Sequence, residues 1–225
     1  MSLIRTTQTF PAPTSTQRPI LLLCGFGGRV WQLRRLIAVL NGAGHDVVAL
    51  DFPKSVLSRG DAELLPRLTD EVVAFAESLA DQSAQPPLLV GVSLGALLTL
   101  NILRRSPKFT EGVLITGGDI AAIARKLYPK VWSQSYDQLA AAWQTVNMYS
   151  DPAQLHGKRL VFVLHPSNKL IDTTLVRREI QAQQAAGNEL RVVERARFDH
   201  VGTIVEETIL FPRRTLDYIR QVSAA

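Results

Sequence analysis

The chain has 225 residues, 46% hydrophobic and 20% charged, which is enough to bury the core of one ordinary α/β domain. A lone cysteine, Cys24, excludes an intrachain disulfide framework, and without an H-E-x-x-H motif or a carboxylate-rich loop neither a metal nor another cofactor is expected. The formal charge of +5 does not make a nucleic-acid footprint, because the pairs Arg34-Arg35, Arg104-Arg105, Arg177-Arg178 and Arg213-Arg214 are scattered over separate predicted helices with no block of five like charges.

The first 19 residues lack the apolar core of a signal peptide, and no segment approaches the roughly 18 apolar residues of a membrane span, so the expectation is a cytoplasmic protein without a membrane span. Short, continuously apolar runs then recur: Ile20 to Leu23, Asp46 to Leu50, Pro87 to Gly91, Gly112 to Thr116, Arg159 to Leu164, and Leu190 to Val193. Continuous rather than alternating apolar character suits strands of a parallel sheet covered on both faces. Between them, Leu33, Leu36, Ile37 and Leu40 share one helical face that stops at Gly42 and Gly44, and Leu64 to Leu79 makes a longer amphipathic helix. Ala96 to Arg105 is apolar nearly all round, Thr173 to Ala186 is a further helix ending at Gly187, and a last one covers about Val205 to Val222 with an interruption at Pro212. This βαβα alternation predicts a single domain, residues 1–225, built on a doubly wound, mostly parallel α/β sheet with right-handed crossovers.

One stretch breaks the rhythm. Between Gly117 and Lys158 about forty residues carry helical pattern and no convincing strand, far beyond the usual connection of roughly 4–6 residues. A short helical lid inserted at about 118–157 is the expectation. It holds Tyr128, Trp132, Tyr136, Trp143 and Tyr149, rings that either wall a substrate pocket or fasten the lid to the body. Trp31 and Phe198 are further candidates for the pocket.

The sharpest signal is GVSLG, Gly91 to Gly95, set between the apolar run 88–90 and the helix that begins near Leu94. This is the G-x-S-x-G nucleophile elbow in its strand-turn-helix context, with Ser93 as the candidate nucleophile. On this motif and its placement the chain resembles the α/β-hydrolase fold family from about residue 18 to 222. The resemblance implies an oxyanion hole from backbone N–H groups, which map to Leu94 after the nucleophile and to Phe26 in the glycine-rich LLLCGFGG. GFGGRV is no dinucleotide fingerprint, because Val30 stands where the third glycine is needed. Members of the family usually carry His-Gly where this chain has Cys24-Gly25; the change leaves backbone donors untouched, and Cys24 is expected to pack as a small buried hydrophobe.

In the family's order of serine, acid and histidine, the base falls at His200 in RFDHVGT, after the last predicted strand and before the C-terminal helix. The acid is less direct. The position that matches many relatives, on the loop after Arg159 to Leu164, is Lys169, which cannot orient an imidazolium. Asp172, three residues on, is the nearest carboxylate; Asp119 in ITGGD is a rival at a position some members use, and a site without an acid is the third possibility. Both aspartates also suit helix N-caps. What the resemblance implies is a serine hydrolase that cleaves a carboxylic ester or thioester of a small to medium apolar acyl group through Ser93, His200 and Asp172, with Phe26 and Leu94 holding the oxyanion. Its partner is a small-molecule acyl substrate, with no nucleic acid. The alternative, prompted by Lys169 and Cys24, is a catalytically weak ligand-binding or regulatory protein on the same fold.

Overall fold

The computed structural model describes residues 2–147, 155–166 and 169–223. One sheet contains β1 (Thr6–Phe10), β2 (Ile20–Leu23), β3 (Val47–Asp51), β4 (Leu88–Val92), β5 (Glu111–Ile115), β6 (Arg159–Leu164) and β7 (Glu189–Glu194), in the order β1-β3-β2-β4-β5-β6-β7. All neighbours pair in parallel except β1, which runs antiparallel to β3 at the edge. The apolar runs mark β2 to β7 to within a residue or so. β1 carries no such run, because the edge position leaves TTQTF largely open to solvent and demands no apolar face.

Alternate residues of the inner strands feed two cores. Leu21, Leu23, Leu89, Leu160 and Phe162 face one side, packed under α3 (Leu64–Asp81), α4 (Leu94–Arg105) and α7 (Thr173–Ala185). Ile20, Leu22, Val90, Val161 and Val163 face the other, under α1 (Arg34–Gly42) and α9 (Pro212–Ser223). A short helix α2 (Ser55–Ser58) follows β3, while α5 (Ile120–Leu127) and α6 (Tyr136–Ala142) lie between β5 and β6. No described helix is long and apolar enough to cross a membrane.

The C-terminal helix differs from its expected form. It is split into α8 (His200–Val205), a π turn over Glu206–Leu210, and α9. Pro212 cannot donate a helical hydrogen bond and pushes Phe211 out of the helical region. The π turn also buries the consecutive residues Glu206, Glu207 and Thr208, and Arg214 and Arg195 supply the countercharge for the two carboxylates.

Two aromatics of the β5–β6 insertion fasten it to the body. Trp132 and Trp143 are fully buried, meet edge to face at 5.1 Å, and donate their indole N–H groups to the carbonyls of Leu57 (2.7 Å) and Ala62 (2.8 Å). Tyr136 donates to Asp119, and Tyr149 lies outside the described residues. Truncating such a ring removes both its packing and its hydrogen bond, so Trp143→Ala is expected to cost about 3–5 kcal/mol in urea unfolding; a loss below about 1 kcal/mol would show that the ring is not holding the insertion.

Candidate active site

β2 lies between β3 and β4, so the chain leaves β2 toward one edge of the sheet and later returns to its other side at β4. This reversal is the switch point at which open α/β sheets form a crevice beyond their carboxyl ends. Leu23 is opposite Gly91 in the β2–β4 ladder, so the loop that starts at Cys24 and the turn that starts at Val92 emerge side by side.

The glycines of GVSLG are demanded by that closeness. A Cβ on Gly95 would lie 2.1 Å from the carbonyl oxygen of Leu23, and one on Gly91 would lie 2.2 Å from the carbonyl oxygen of Gly95. Between them Ser93 takes φ 54° and ψ −111°, a left-handed conformation that costs a non-glycine residue on the order of 1–3 kcal/mol. Its amide is held by the carbonyl of Ile115 at 2.8 Å, and its Oγ projects to within 3.1 Å of His200 Nε2.

His200 opens α8 behind the N-cap Asp199, whose carboxylate accepts from the Gly202 amide at 2.9 Å. Gly202 is small for a reason, since a Cβ there would lie 2.4 Å from Phe198 Cβ. The imidazole is 7% exposed, and burial lowers its pKa to about 4 against the opposing pull of the Asp199 charge. At neutral pH the ring is therefore uncharged and able to take a proton.

Leu94 is the first residue of α4, so its amide is one of the first-turn N–H groups that have no acceptor within the helix. The loop holding Phe26 abuts the same turn: a Cβ on Gly25 would lie 3.3 Å from Ser93 Cβ. That loop is anchored from behind. Gly28 N–H donates to the Gly25 carbonyl (3.0 Å), Val30 N–H donates to Asp51 Oδ2 (3.1 Å), and Arg5 donates from Nη2 to the Gly28 carbonyl (3.0 Å) and from Nε to Asp51 Oδ1 (2.8 Å). Asp51 is 2% exposed, so its carboxylate depends on these donors. Arg5 and Asp51 escaped the sequence reading; the only signal was a carboxylate closing an otherwise apolar strand.

A cleft of about 480 Å³ opens over Ser93 and His200, with Phe26, Ile123, Leu127, Tyr128, Ile204 and Ile209 as its apolar wall. Phe26 and Tyr128 meet edge to face at 5.9 Å. Of the described aromatics in the β5–β6 insertion only Tyr128 belongs to this wall, and Trp31, 67% exposed, and Phe198 do not. Cys24 is buried at the base, and desolvation followed by the Asp51 charge pushes its thiol up to about 12, leaving it an inert apolar filler.

The model of the alpha/beta hydrolase family matches residues 20–198. The chain belongs to the alpha/beta hydrolase family. The curated proteins contain no match to it. Among solved structures it is similar to an esterase of Pyrococcus furiosus, 18% identical with a TM-score of 0.63, covering 93% of this chain and 83% of that one. It is similar as well to a monoacylglycerol lipase of Paleococcus ferrophilus (16% identical, TM-score 0.66, covering 98% and 99%) and to a carboxylesterase of Bacillus cereus (15%, 0.61, 92% and 93%). At these identities the likeness is one of fold.

In this alpha/beta hydrolase the structure brings Ser93 and His200 together and gives both candidate acids other partners. Asp119, 1% exposed, caps α5 by accepting from the amides of Ala121 (2.9 Å) and Ala122 (3.1 Å), and also takes Asn147 Nδ2 (3.1 Å) and the Tyr136 hydroxyl. Asp172 is exposed and caps α7 through Oδ1, accepting from Thr174 (2.9 Å) and Leu175 (3.4 Å). The Asp199 charge acts on the imidazole. Lys169 stays at the surface, its carbonyl accepting from Lys126 Nζ. No three His, Cys, Asp or Glu side chains cluster among the described residues.

Burial is the largest influence on His200, so with the carboxylates placed as in this structure the acid limb of kcat/KM is expected at about pH 4, with full activity above it, and an Asp172 carboxylate brought to the imidazole would raise that limb. The same buried neutral ring contributes stability that is complete above its unfolded pKa of roughly 6.5 and is lost as the pH falls through about 4. A limb at pH 6–7 in a pH-rate profile would mean that a negative partner offsets the burial.

Proposed function

We propose that the protein is a serine hydrolase acting on a carboxylic ester or thioester with a small to medium apolar acyl group. The observation that carries this reading is the 3.1 Å contact of Ser93 Oγ with a buried, neutral His200. Ser93 Oγ attacks the acyl carbonyl carbon and its proton passes to His200 Nε2. The Phe26 and Leu94 amides stabilise the oxyanion; collapse of the tetrahedral intermediate breaks the ester or thioester bond, and the imidazolium returns its proton to the departing alcohol or thiol. Water, deprotonated by the same imidazole, then attacks the acyl-enzyme and releases the carboxylic acid. The apolar wall of the cleft favours a hydrocarbon acyl chain, and the insertion at 118–157 serves as the lid that contributes Tyr128 to that wall. Ser93→Ala is expected to remove hydrolysis of 4-nitrophenyl butyrate by at least about 10³-fold; activity that survives this substitution refutes the reading.

The third member of the triad is proposed at Asp172, which requires its carboxylate to exchange the α7 cap for the imidazole. Asparagine caps a helix about as well as aspartate, so Asp172→Asn separates the two roles. With Asp172 as the orienting acid, kcat falls on the order of 10⁴-fold while the melting temperature hardly moves. A variant within tenfold of the parent rejects this assignment. It favours the second reading, a catalytically weak hydrolase or ligand-binding protein, which the helix-capping contacts of Asp119 and Asp172 support.

A further inference from the structure

The cleft has a charge that the proposed chemistry does not use. Lys54 and Arg29 both line it, and no aspartate or glutamate does. Neither cation forms an ion pair among the described residues, whereas Arg5, Arg195 and Arg214 nearby are matched to Asp51, Glu207 and Glu206. With His200 neutral, the lining carries two positive charges and no countercharge.

Lys54 and Arg29 are exposed, and the stem of Lys54 follows the glycine-rich loop. Its aliphatic stem lies along the bare Cα of Gly27, where a Cβ would come within 2.8 Å of Cε and 3.0 Å of Cγ. Gly27 has φ 67°, so glycine answers both the backbone and the packed stem. The stem thus runs beside the loop that carries Phe26, and Arg29 lines the same cleft. Leu127, Ile204 and Ile209 supply the apolar surface of the same cleft. A cation at the solvent edge of an apolar cleft attracts an anion bound there, with a strength that salt screens.

We propose that the natural substrate of this site is an acyl ester or thioester bearing an anionic group, carboxylate or phosphate, remote from the scissile carbonyl, and that Lys54 and Arg29 bind that group. The inference rests on the serine-hydrolase reading and names its substrate class. The apolar segment of the substrate lies along the hydrocarbon wall and the anion ends at the cationic rim. Neutral esters of the same length fit the wall but leave the two cations uncompensated.

The test compares two esters of equal length, mono-4-nitrophenyl glutarate with a free carboxylate and its neutral counterpart with a primary amide in place of that carboxylate, on the wild type, Lys54→Gln, Lys54→Glu and Arg29→Gln. The readout is the ratio of kcat/KM for the anionic ester to that for the neutral one. The wild type is expected to favour the anionic ester by about tenfold, each neutralisation to lower the ratio by roughly threefold, and Lys54→Glu to invert the preference. The preference should shrink as ionic strength rises, which a difference of shape alone would not produce. Competition by butyl phosphate against pentanoate assigns the anion, the stronger inhibitor naming phosphate or carboxylate. Cleavage of the neutral ester with no anionic preference, or a ratio unmoved by Lys54→Glu, overturns the substrate class and leaves the serine chemistry standing. Cleavage of neither ester by folded wild type overturns the serine-hydrolase reading and this inference with it.

Discussion

The approach of the nucleophile turn to the end of β2 is the constraint on which the site depends. Gly95 and the Leu23 carbonyl are so close that no side chain fits between them, and this closeness fixes α4 directly over the sheet at the switch point. From that one contact follow the left-handed backbone of Ser93, the first-turn amide of Leu94 and the nearness of the glycine-rich loop. The strain at Ser93 is sustained because parallel pairing on both sides of β4 and the hydrogen bond from its amide to Ile115 leave the backbone no alternative.

The second half of the site is held by charge. Asp51, buried at the end of β3, accepts from the Val30 amide and from Arg5, and Arg5 in turn holds the Gly28 carbonyl. The antiparallel edge strand, which adds little to the core, is thereby preceded by the cation that holds the glycine-rich loop beside Ser93. His200 completes the arrangement by burial: desolvation keeps the imidazole neutral, the state the proposed general base requires. The insertion that contributes Tyr128 to the cleft is pinned by the Trp132–Trp143 pair. Packing of the insertion and the shape of the cleft are thus linked.

Much of this was legible in the chain. Strands covered on both faces must be continuously apolar, so β2 to β6 announced themselves, and the two glycines around Ser93 are required by local geometry that any such elbow shares. Elements whose form is set by distant partners were not legible. The polar edge strand β1 has no apolar pattern to read, and the π turn after α8 depends on Arg195 and Arg214, from other segments, meeting its own buried carboxylates Glu206 and Glu207. Thr116 adopts φ 55° at the end of β5 although a β-branched residue disfavours it, and the sequence gives no hint of that. The aromatics of the β5–β6 insertion left two roles open because ring-rich helices look alike whether they face a pocket or a core; burial assigns Trp132 and Trp143 to the core, and the cleft lining includes Tyr128. The helix caps at Asp119 and Asp172 were foreseeable from their positions, whereas the orientation of each carboxylate is a tertiary property.

The central claim is that His200 activates Ser93. Intact-mass measurement of fluorophosphonate labelling, run on the wild type, Ser93→Ala and His200→Ala, addresses it most directly. The account predicts one adduct per wild-type chain, none on Ser93→Ala, and labelling of His200→Ala slowed by at least about 10³-fold. A folded wild type that takes no label, or an adduct that persists in Ser93→Ala, would contradict it.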